Sequence, residues 1–399
     1  MRELAQILEA FEHLAAEGKP AAVATVVAVG GSSYRRPGAR MLVAGDGRTW
    51  GGISGGCLER DVARRARLVI ETGEPVLCRY DTTESLDEVT EETGLLDLGR
   101  TPGVTLGCRG VIDLFIERIS SDWPGPIPLM ARAVRERTVV TCGTLLRATP
   151  GVKARPGTRL LAASESPTGG DELARAVTDR LRAHEAYGIL PLPLGEGARG
   201  AAIANVTYGA IHHLVLPGDE SADVFIETMR PPQSLVIFGG GSDVVPLLEL
   251  AKALGWHVTI VAGRSSAGAR ERFATADVFA AGDADDPTAG VTPETGAAVV
   301  LMTHDFPRDA KVLAALAGRP LRYLGLLGPR NRAERLLAQC AGTAQWKAFY
   351  PVGLDVGADN PELIALAIIA EIQAVLAGRP GGMLRDRPGP IYSRAQAPA

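Results

Sequence analysis

The second half of the chain alternates short apolar runs with amphipathic segments. The apolar runs cover residues 234–240, 257–263, 297–305 and 321–328, and the amphipathic segments cover 243–255, 269–276, 308–318, 331–340 and 360–378. Apolar runs of this length are typical of buried strands, and an apolar residue at every third or fourth position is typical of a helix. Strands that alternate with helices form parallel sheets covered on both faces. We therefore expect an α/β fold, with a doubly wound parallel sheet in this half.

The first half has the pattern of a mixed α/β domain. Strand-like runs cover residues 21–29, 75–81, 111–119, 138–148 and 222–229, and helical patterns cover the first 20 residues, 58–71 and 171–185. The stretch 149–170 is rich in Gly, Pro and Ser, which is typical of a loop. Two consecutive prolines, Pro231 and Pro232, mark a linker. We expect one domain over residues 1–229 and a second over 230–399.

Composition and charge argue against several classes of protein. The 399 residues carry a net charge of −4, which gives no electrostatic reason to bind nucleic acid or an anionic membrane. The apolar run 363–370 is too short to span a bilayer, and the first 20 residues contain no apolar signal segment. The five cysteines have no regular spacing, so they predict no disulfide framework. We expect a cytoplasmic protein that binds neither nucleic acid nor membrane.

A glycine-rich turn follows the first strand of the second half. Gly239, Gly240 and Gly241 stand at the strand-to-helix turn, as in Rossmann-like domains, where glycines let the backbone approach a phosphate at the helix N-terminus. The acid that usually binds the adenosine ribose at the end of the next strand is absent, because Ala262 stands there. The pattern therefore favours a phosphate-bearing ligand over NAD(P).

Polar residues also follow later strands of that sheet. His304 and Asp305 end the run 297–305, and open α/β sheets bind ligands at the carboxyl ends of their strands. Asp305 can also serve as the N-cap of the next helix, with Pro307 in the first turn, and the two roles are compatible. Arg330 begins a later helix, where a basic side chain opposes the helix dipole. An anion ligand explains it better than a cap does, and a plain surface arginine is the alternative.

Cys57 follows four glycines in the sequence GGISGGC and precedes an amphipathic helix. A position at a helix N-terminus, with Arg60 and Arg64 nearby, favours the thiolate over the thiol. The neighbouring Gly55 and Gly56 leave room for a large ligand. The alternative interpretation is a small packed residue in a glycine turn.

Two further loops carry candidate ligands. The loop GGSSYRRPGARM places Ser33, Arg35 and Arg36 close together, and arginine binds phosphates and polar heterocycles with paired hydrogen bonds. A simple hairpin is the alternative explanation of its two glycines. Cys108 also lies between glycines, and two such thiols suit a soft metal or transferable sulfur. The remaining cysteines lie within strand or helix patterns that predict inert core positions: Cys78, Cys142 and Cys340.

Together these motifs resemble the XdhC/CoxI family, which are maturation factors for molybdenum hydroxylases such as xanthine and CO dehydrogenases. The matching segments are GGSSYRRPGARM, GGISGGCLERD, RYDTT, GCRGVIDLFIE, MTHDF, YLGLLGPRNRAERLL and PVGLDVGADNPELIALAIIAEI. The resemblance covers nearly the whole chain except a variable middle segment of about 121–220. It implies a chaperone that binds molybdenum cofactor (molybdopterin or its dinucleotide form), protects it during sulfuration and delivers it to an apo hydroxylase.

The resemblance also implies partners and site residues. The partners are the large subunit of an apo molybdenum hydroxylase and a cysteine desulfurase. The family's glycine–cysteine loop matches Gly55, Gly56 and Cys57, with Cys57 as a ligand of the cofactor's molybdenum, and its cysteine–glycine motif matches Cys108 and Gly110. Such a chain is a maturation factor rather than a turnover enzyme. The apolar C-terminal helix separately favours a homodimer.

Two other functions are compatible with parts of the sequence. An NAD(P)-dependent oxidoreductase would account for the doubly wound half, but it would leave Cys57, Arg35 and Arg36 without a role. A scaffold that only docks the hydroxylase and its desulfurase is the third hypothesis, and it would bind no cofactor.

Overall fold

Two compact units make up the part of the chain that the structure, a computed structural model, describes. The described residues are 2–31, 35–56, 58–81, 110–161, 172–188, 209–263, 268–283, 285–339 and 347–388. The first unit contains the described residues up to Pro232, and the second begins at Gln233. Each unit has its own sheets and its own hydrophobic cores.

The first unit contains two antiparallel sheets with helices. The strands are β1 (Ala21–Gly31), β2 (Arg40–Ala44), β3 (Thr49–Gly51), β4 (Val76–Asp81), β5 (Gly110–Ile119), β6 (Val140–Ala148), β7 (Arg159–Leu161), β8 (Ala210–Leu216) and β9 (Glu220–Met229). The helices are α1 (Arg2–Ala16), α2 (Glu59–Thr72), α3 (Ile127–Val134) and α4 (Glu172–Gly188). The strand orders are β3-β2-β1-β5-β4 and β7-β6-β9-β8. Helix α2 packs on the first sheet and α4 on the second, while α1 and α3 share a core with residues of both sheets.

The two sheets carry the same pair of sequence motifs. RPGARML at 36–42 runs into β2, and RPGTRLL at 155–161 runs into β7. DLFIE at 113–117 lies in β5, and DVFIE at 223–227 lies in β9. The order of elements is also shared, because α1-β1-β2-α2-β4-β5 corresponds to α3-β6-β7-α4-β8-β9. The first unit is therefore an internal duplication, with β3 as an additional strand of the first copy.

Strand pairing follows the duplication residue by residue. Thr25 of β1 pairs with Phe115 of β5, and Thr144 of β6 pairs with Phe225 of β9. In both copies a register shift follows one pair later, after Val26 in β1 and after Leu145 in β6. Neither the repeat nor its shared bulge was predicted from the sequence.

The two sheets contact each other through crossed, buried ion pairs. Arg40 of the first copy pairs with Glu227 of the second, and Arg159 of the second copy pairs with Glu117 of the first. The Glu227 side chain is 1% exposed and that of Glu117 is 2% exposed. Equivalent apolar residues of the two copies pack beside them: Val27 and Leu146, and Phe115 and Phe225. Removing one partner of such a pair leaves an unpaired buried charge, which costs about 3–5 kcal/mol.

The second unit is a parallel sheet covered on both faces. Its strands are β10 (Ser234–Phe238), β11 (His257–Gly263), β12 (Val278–Gly282), β13 (Ala298–Leu301), β14 (Tyr323–Leu326) and β15 (Ala348–Phe349). Its helices are α5 (Val244–Ala253), α6 (Ala269–Arg272), α7 (Phe306–Leu316), α8 (Arg330–Gln339) and α9 (Pro361–Leu376). The strand order is β12-β11-β10-β13-β14-β15, with every neighbouring pair parallel. One core lies under α5 and α9 and the other under α7 and α8, which confirms the predicted α/β fold and its doubly wound sheet.

Several short elements differ from the hydrophobic pattern. Strands β3, β7 and β15 have three residues or fewer, too short to show a period. Strand β7 lies within the stretch 149–170 that the sequence predicted to be loop. The helix predicted over 269–276 forms only over the four residues of α6. The unpredicted elements are β2, β3, β7, β8, β12, β15 and α3.

The structure also describes two of the three cysteines predicted to be core residues. Cys78 and Cys142 are buried, as predicted, while Cys340 lies outside the described residues. Among the helices that the structure describes, none is both long and apolar enough to cross a bilayer.

Asp61 anchors helix α2 to strand β4. Its carboxylate accepts hydrogen bonds from Arg65 at 2.8 Å, from Arg64 at 2.7 Å and from the Tyr80 hydroxyl at 2.6 Å. Burial alone would raise the pKa of Asp61, but these hydrogen bonds outweigh it and lower that pKa to about 2. The carboxylate therefore stays ionised well into the acid range.

We expect Asp61→Asn to lower the free energy of unfolding near neutral pH and to have a smaller effect in acid. The folded-state pKa lies below the value of 3.8 for an unperturbed aspartate, so the ionised form stabilises the fold above about pH 4 and this contribution is lost as the pH falls toward 2. After allowance for solvent screening, the contribution is about 1 kcal/mol. Urea unfolding of both proteins across this range measures it. A difference between them that stays constant with pH would contradict the expectation.

Candidate functional site

The three loops predicted to carry ligands leave the first sheet at one end. Gly31, at the end of β1, pairs with Gly110, at the start of β5. Strand β4 ends beside the same part of β5, at Asp81. Strand β3 ends at Gly51, beside the start of β2. The register therefore brings the carboxyl ends of β1, β3 and β4 to the same end of the first sheet.

Three of the predicted ligands in these loops lie outside the described residues: Ser33, Cys57 and Cys108. Their roles stay predictions from the sequence. The described neighbours Gly55 and Gly56 are exposed. A Cβ atom on Gly56 would meet no other atom within 4 Å, so the space beside this glycine is open.

Glu59 folds the glycine loop back onto the start of helix α2. Its carboxylate accepts hydrogen bonds from the Ser54 hydroxyl and from the Ser54 backbone N–H, the latter at 2.9 Å. The Ser54 oxygen in turn accepts from the N–H groups of Gly56 and Leu58, both at 3.2 Å. Burial tends to raise the pKa of Glu59, but these hydrogen bonds prevail and leave that pKa below its ordinary value. An ionised carboxylate therefore holds this loop.

The charges around the glycine loop differ from the expected set. Arg64 pairs with Asp61 at 2.7 Å instead of being left to stabilise a neighbouring thiolate. Arg60 is exposed, and Glu59 adds a negative charge at the same helix end. The electrostatic argument for a thiolate at this loop thus rests on the N-terminus of α2 and not on Arg64.

Arg35 joins two of the loops. Its Nε and Nη2 atoms donate to the carbonyl oxygen of Gly52, at 3.1 Å and 2.9 Å. Its guanidinium also pairs with Glu3 of helix α1. The side chain predicted to bind a phosphate or heterocycle therefore ties the loop before β2 to the loop after β3. Arg36 is half-buried, and its carbonyl accepts from the N–H of Ala39 at 3.0 Å.

In the second unit, the glycine turn after β10 lies against the backbone that follows β13. The Met302 N–H donates to the Phe238 carbonyl at 2.7 Å, and a Cβ atom on Gly239 would lie 2.8 Å from the Met302 carbonyl oxygen. Only glycine fits there without a backbone shift. The Gly240 carbonyl accepts from Arg272 Nη1 at 2.8 Å. Strand order reverses between β10 and β13, which is where open α/β sheets bind ligands.

His304 and Asp243 connect the two loops at this reversal of strand order. His304 Nε2 lies 2.9 Å from Asp243 Oδ2, and the His304 side chain is 64% exposed. His304 has a φ of 58°, in the left-handed region that residues other than glycine seldom adopt. Asp243 directly precedes helix α5. A phosphate at Gly241 would thus share the helix N-terminus with a carboxylate that a histidine already contacts.

Asp305 is the N-cap of helix α7. Its carboxylate accepts from the Arg308 N–H at 3.1 Å, and Pro307 lies in the first turn, which confirms the capping interpretation. The Arg308 side chain donates from Nη2 to the Ala262 carbonyl at 2.9 Å. At the end of β11, where a dinucleotide-binding domain usually has an acid, this chain therefore places a guanidinium.

The two arginines at the start of α8 have different environments. Arg332 pairs at 2.7 Å with Asp309, whose side chain is 1% exposed, so it supports the packing of α7 and α8. Arg330 is exposed, with its guanidinium carbon 5.9 Å from the ring centroid of Tyr350. Of the two, Arg330 is the one on the surface.

The sequence did not predict a role for three residues beside the candidate ligand loops: Glu59, Asp243 and Arg308. Glu59 and Asp243 carry a visible signal, since each is an acid at the start of a predicted helix, where the helix dipole favours negative charge. The contact of Arg308 with β11 depends on how α7 packs, which the local sequence does not show. Within the described ranges, no group of three or more His, Cys, Asp or Glu side chains is placed to hold a metal ion.

Comparison with known families gives a match in each unit. The model described as the XdhC and CoxI family matches residues 14–81, and the model described as the XdhC Rossmann domain matches residues 235–372. The first match covers the loops at the edge of the first sheet up to Asp81, and the second covers the parallel sheet from β10 onward.

Known relatives match over nearly the whole length of the chain. A probable xanthine dehydrogenase subunit from Bacillus subtilis is 29% identical, over 91% of this chain and 95% of that protein. The molybdenum cofactor insertion chaperone PaoD of Escherichia coli is 23% identical, over 90% of this chain and 84% of that protein. The crystal structure of a xanthine dehydrogenase from Bacillus halodurans is similar with a TM-score of 0.67 and 25% identity, over 96% of this chain and 98% of that one. With both family models matched and relatives along its full extent, the chain belongs to the XdhC and CoxI family.

Proposed function

We propose that this chain is a maturation chaperone that binds molybdenum cofactor, protects it while its sulfido ligand is installed, and delivers it to an apo molybdenum hydroxylase. The observation that carries the proposal is that the three strands leading into the candidate ligand loops, β1, β3 and β4, all finish at the same end of the first sheet. Membership of the XdhC and CoxI family and the similarity to PaoD support it. A cysteine desulfurase and the large subunit of the hydroxylase are the proposed partners.

The first unit is proposed to bind the metal end of the cofactor. Thiolates are soft ligands that suit the sulfur-bound molybdenum, so Cys57 is the proposed ligand and Cys108 is a second proposed thiol. The open space at Gly56 suits a large, planar ligand. Ser33 and Arg36 are the polar residues proposed to contact the pterin. Arg35 is proposed to act through the loop contacts that it makes with Gly52.

The second unit is proposed to offer a turn that binds a phosphate group. The turn at Gly239–Gly241 lies at the N-terminus of α5, where the helix dipole favours an anion, and the His304 side chain contacts Asp243 beside it. Asp305 contributes through its N-cap, which fixes the loop that holds His304. Arg330 is an exposed cation that follows β14, the strand next to β13 in the same sheet.

Replacement of Cys57 by alanine is expected to lower the amount of cofactor that copurifies by about tenfold or more, because a soft ligand of the metal is lost. The measurement is molybdenum and pterin analysis of protein purified from a host that makes the cofactor. The matched control is Cys78→Ala. Burial raises the pKa of the Cys78 thiol to about 11, so it is not a thiolate at neutral pH and its loss should leave cofactor content unchanged. Equal cofactor content in wild type and Cys57→Ala would favour the packed-residue interpretation.

Gly239→Ala is expected to reduce cofactor content and to cost about 1–3 kcal/mol of stability, because the new Cβ must push against the Met302 carbonyl. Gly382→Ala is the control, since a Cβ atom there would meet nothing within 4 Å. Thermal unfolding and pterin analysis of both variants measure the two effects. Full cofactor content in a destabilised Gly239→Ala protein would place the phosphate elsewhere.

The NAD(P)-dependent oxidoreductase is the alternative function. The end of β11 argues against it, because Ala262 stands in the place of the ribose acid and its carbonyl accepts from Arg308. We expect no saturable micromolar binding of NADH or NADPH when either is titrated against the intrinsic tryptophan fluorescence. Saturation by either nucleotide would instead support the oxidoreductase.

A further inference from the structure

The second copy of the duplicated unit keeps the framework of the first without its candidate ligands. Where the first copy has GGSSYRRPGA at 30–39, the second has TPGVKARPGT at 149–158. Val152 and Ala154 stand there at the positions of Ser33 and Arg35. Where the first copy has the long segment 82–109 between β4 and β5, the second has only the turn 217–219 between β8 and β9. The second copy therefore requires another explanation than cofactor binding.

The ion pairs between the copies offer that explanation. Arg40 and Glu227 are 2% and 1% exposed, so both charges have been removed from water. Among the described residues, Arg40 Nε and Glu227 Oε2 have no hydrogen-bond partner. Buried ion pairs of this kind are often no more stabilising than well-packed apolar residues. A role in placing the residues around Arg40 accounts for the pair better than stability does.

Arg40 makes hydrogen bonds to two of the candidate ligand loops, the one before β2 and the one after β3. Its Nη1 atom donates to the Gly38 carbonyl at 3.0 Å, which closes the RPG turn of the first loop. Its own carbonyl accepts from the Gly52 N–H at 3.0 Å, which holds the start of the glycine–cysteine loop. A Cβ atom on Gly51 would clash with that carbonyl, so the contact between these backbones is close.

Arg159, the equivalent residue of the second copy, forms the same contact beside a loop that lacks the candidate ligands. Arg159 Nη1 donates to the Gly157 carbonyl at 2.8 Å, and its guanidinium pairs with Glu117. Gly38 and Gly157 have φ values of 93° and 89°, so the two turns have the same backbone conformation. The two ion pairs are thus alike in chemistry and burial, but only the Arg40–Glu227 pair lies beneath candidate ligand loops.

We propose that Glu227, in the second copy, is a positioning residue that fixes the two loops of the first copy through Arg40. The second copy then serves as a buttress for the ligand-binding edge of the first. The effect on the cofactor rests on the proposed function, whereas the effect on the loop backbone does not.

The test compares Glu227→Gln with Glu117→Gln, which removes the equivalent carboxylate from the same interface. Both variants leave a buried arginine without its partner, so both should lose stability to a similar degree. Amide hydrogen exchange at Gly38 and Gly52 is expected to accelerate about tenfold more in Glu227→Gln than in Glu117→Gln. Cofactor content should fall in Glu227→Gln and stay within about twofold of the wild type in Glu117→Gln.

Each outcome decides between the hypotheses. Equal exchange at Gly38 and Gly52 in the two variants would overturn the positioning role. Accelerated exchange in Glu227→Gln alone, in a chain whose wild type retains no cofactor, would keep the positioning role and reject the proposed function. If Glu227→Gln does not fold, Glu227→Asp and Glu117→Asp give the same comparison, because each keeps the charge and shortens its reach.

Discussion

The crossed ion pairs between the two copies are the constraint on which the first unit depends. Among the described residues, each arginine is largely removed from water and is paired with a glutamate of the other copy. Neither sheet could bury its arginine alone, because an unpaired buried charge would outweigh a large part of the stability of a typical domain. The contact between the two sheets therefore depends on these four charged residues.

The hydrophobic pattern predicted the second unit well because the physical signal there is strong. Strands such as β10 and β13 are buried on both faces and read as continuous apolar runs between amphipathic helices. In the first unit, the hydrophobic pattern predicted the long strands but not β2, β3, β7 and β8. Strands β3 and β7 have three residues each, and their pairing depends on contacts with distant neighbours that no local pattern encodes.

The duplication stayed hidden for a different reason. Its identity is concentrated in two motifs, RPGxR and DxFIE, while the segments between them differ in length from one copy to the other. At the candidate sites, glycines and the Asp305 cap could be predicted because local backbone geometry requires them. The partners of Arg35 and Arg332 could not, since each is decided by an acid that the fold brings close. The positions of Ser33, Cys57 and Cys108 stay predictions.

The hairpin turn between β8 and β9 shows where this fold can accept a longer loop. Asp81 pairs with Val111 in the first copy and Val215 pairs with Ser221 in the second, so the flanking strands keep one register whether the corner holds a tight turn or a long excursion. The cost of closing a loop grows only slowly with its length. The turn at 217–219 is therefore a position at which a longer loop could be inserted without disturbing the strands that flank it.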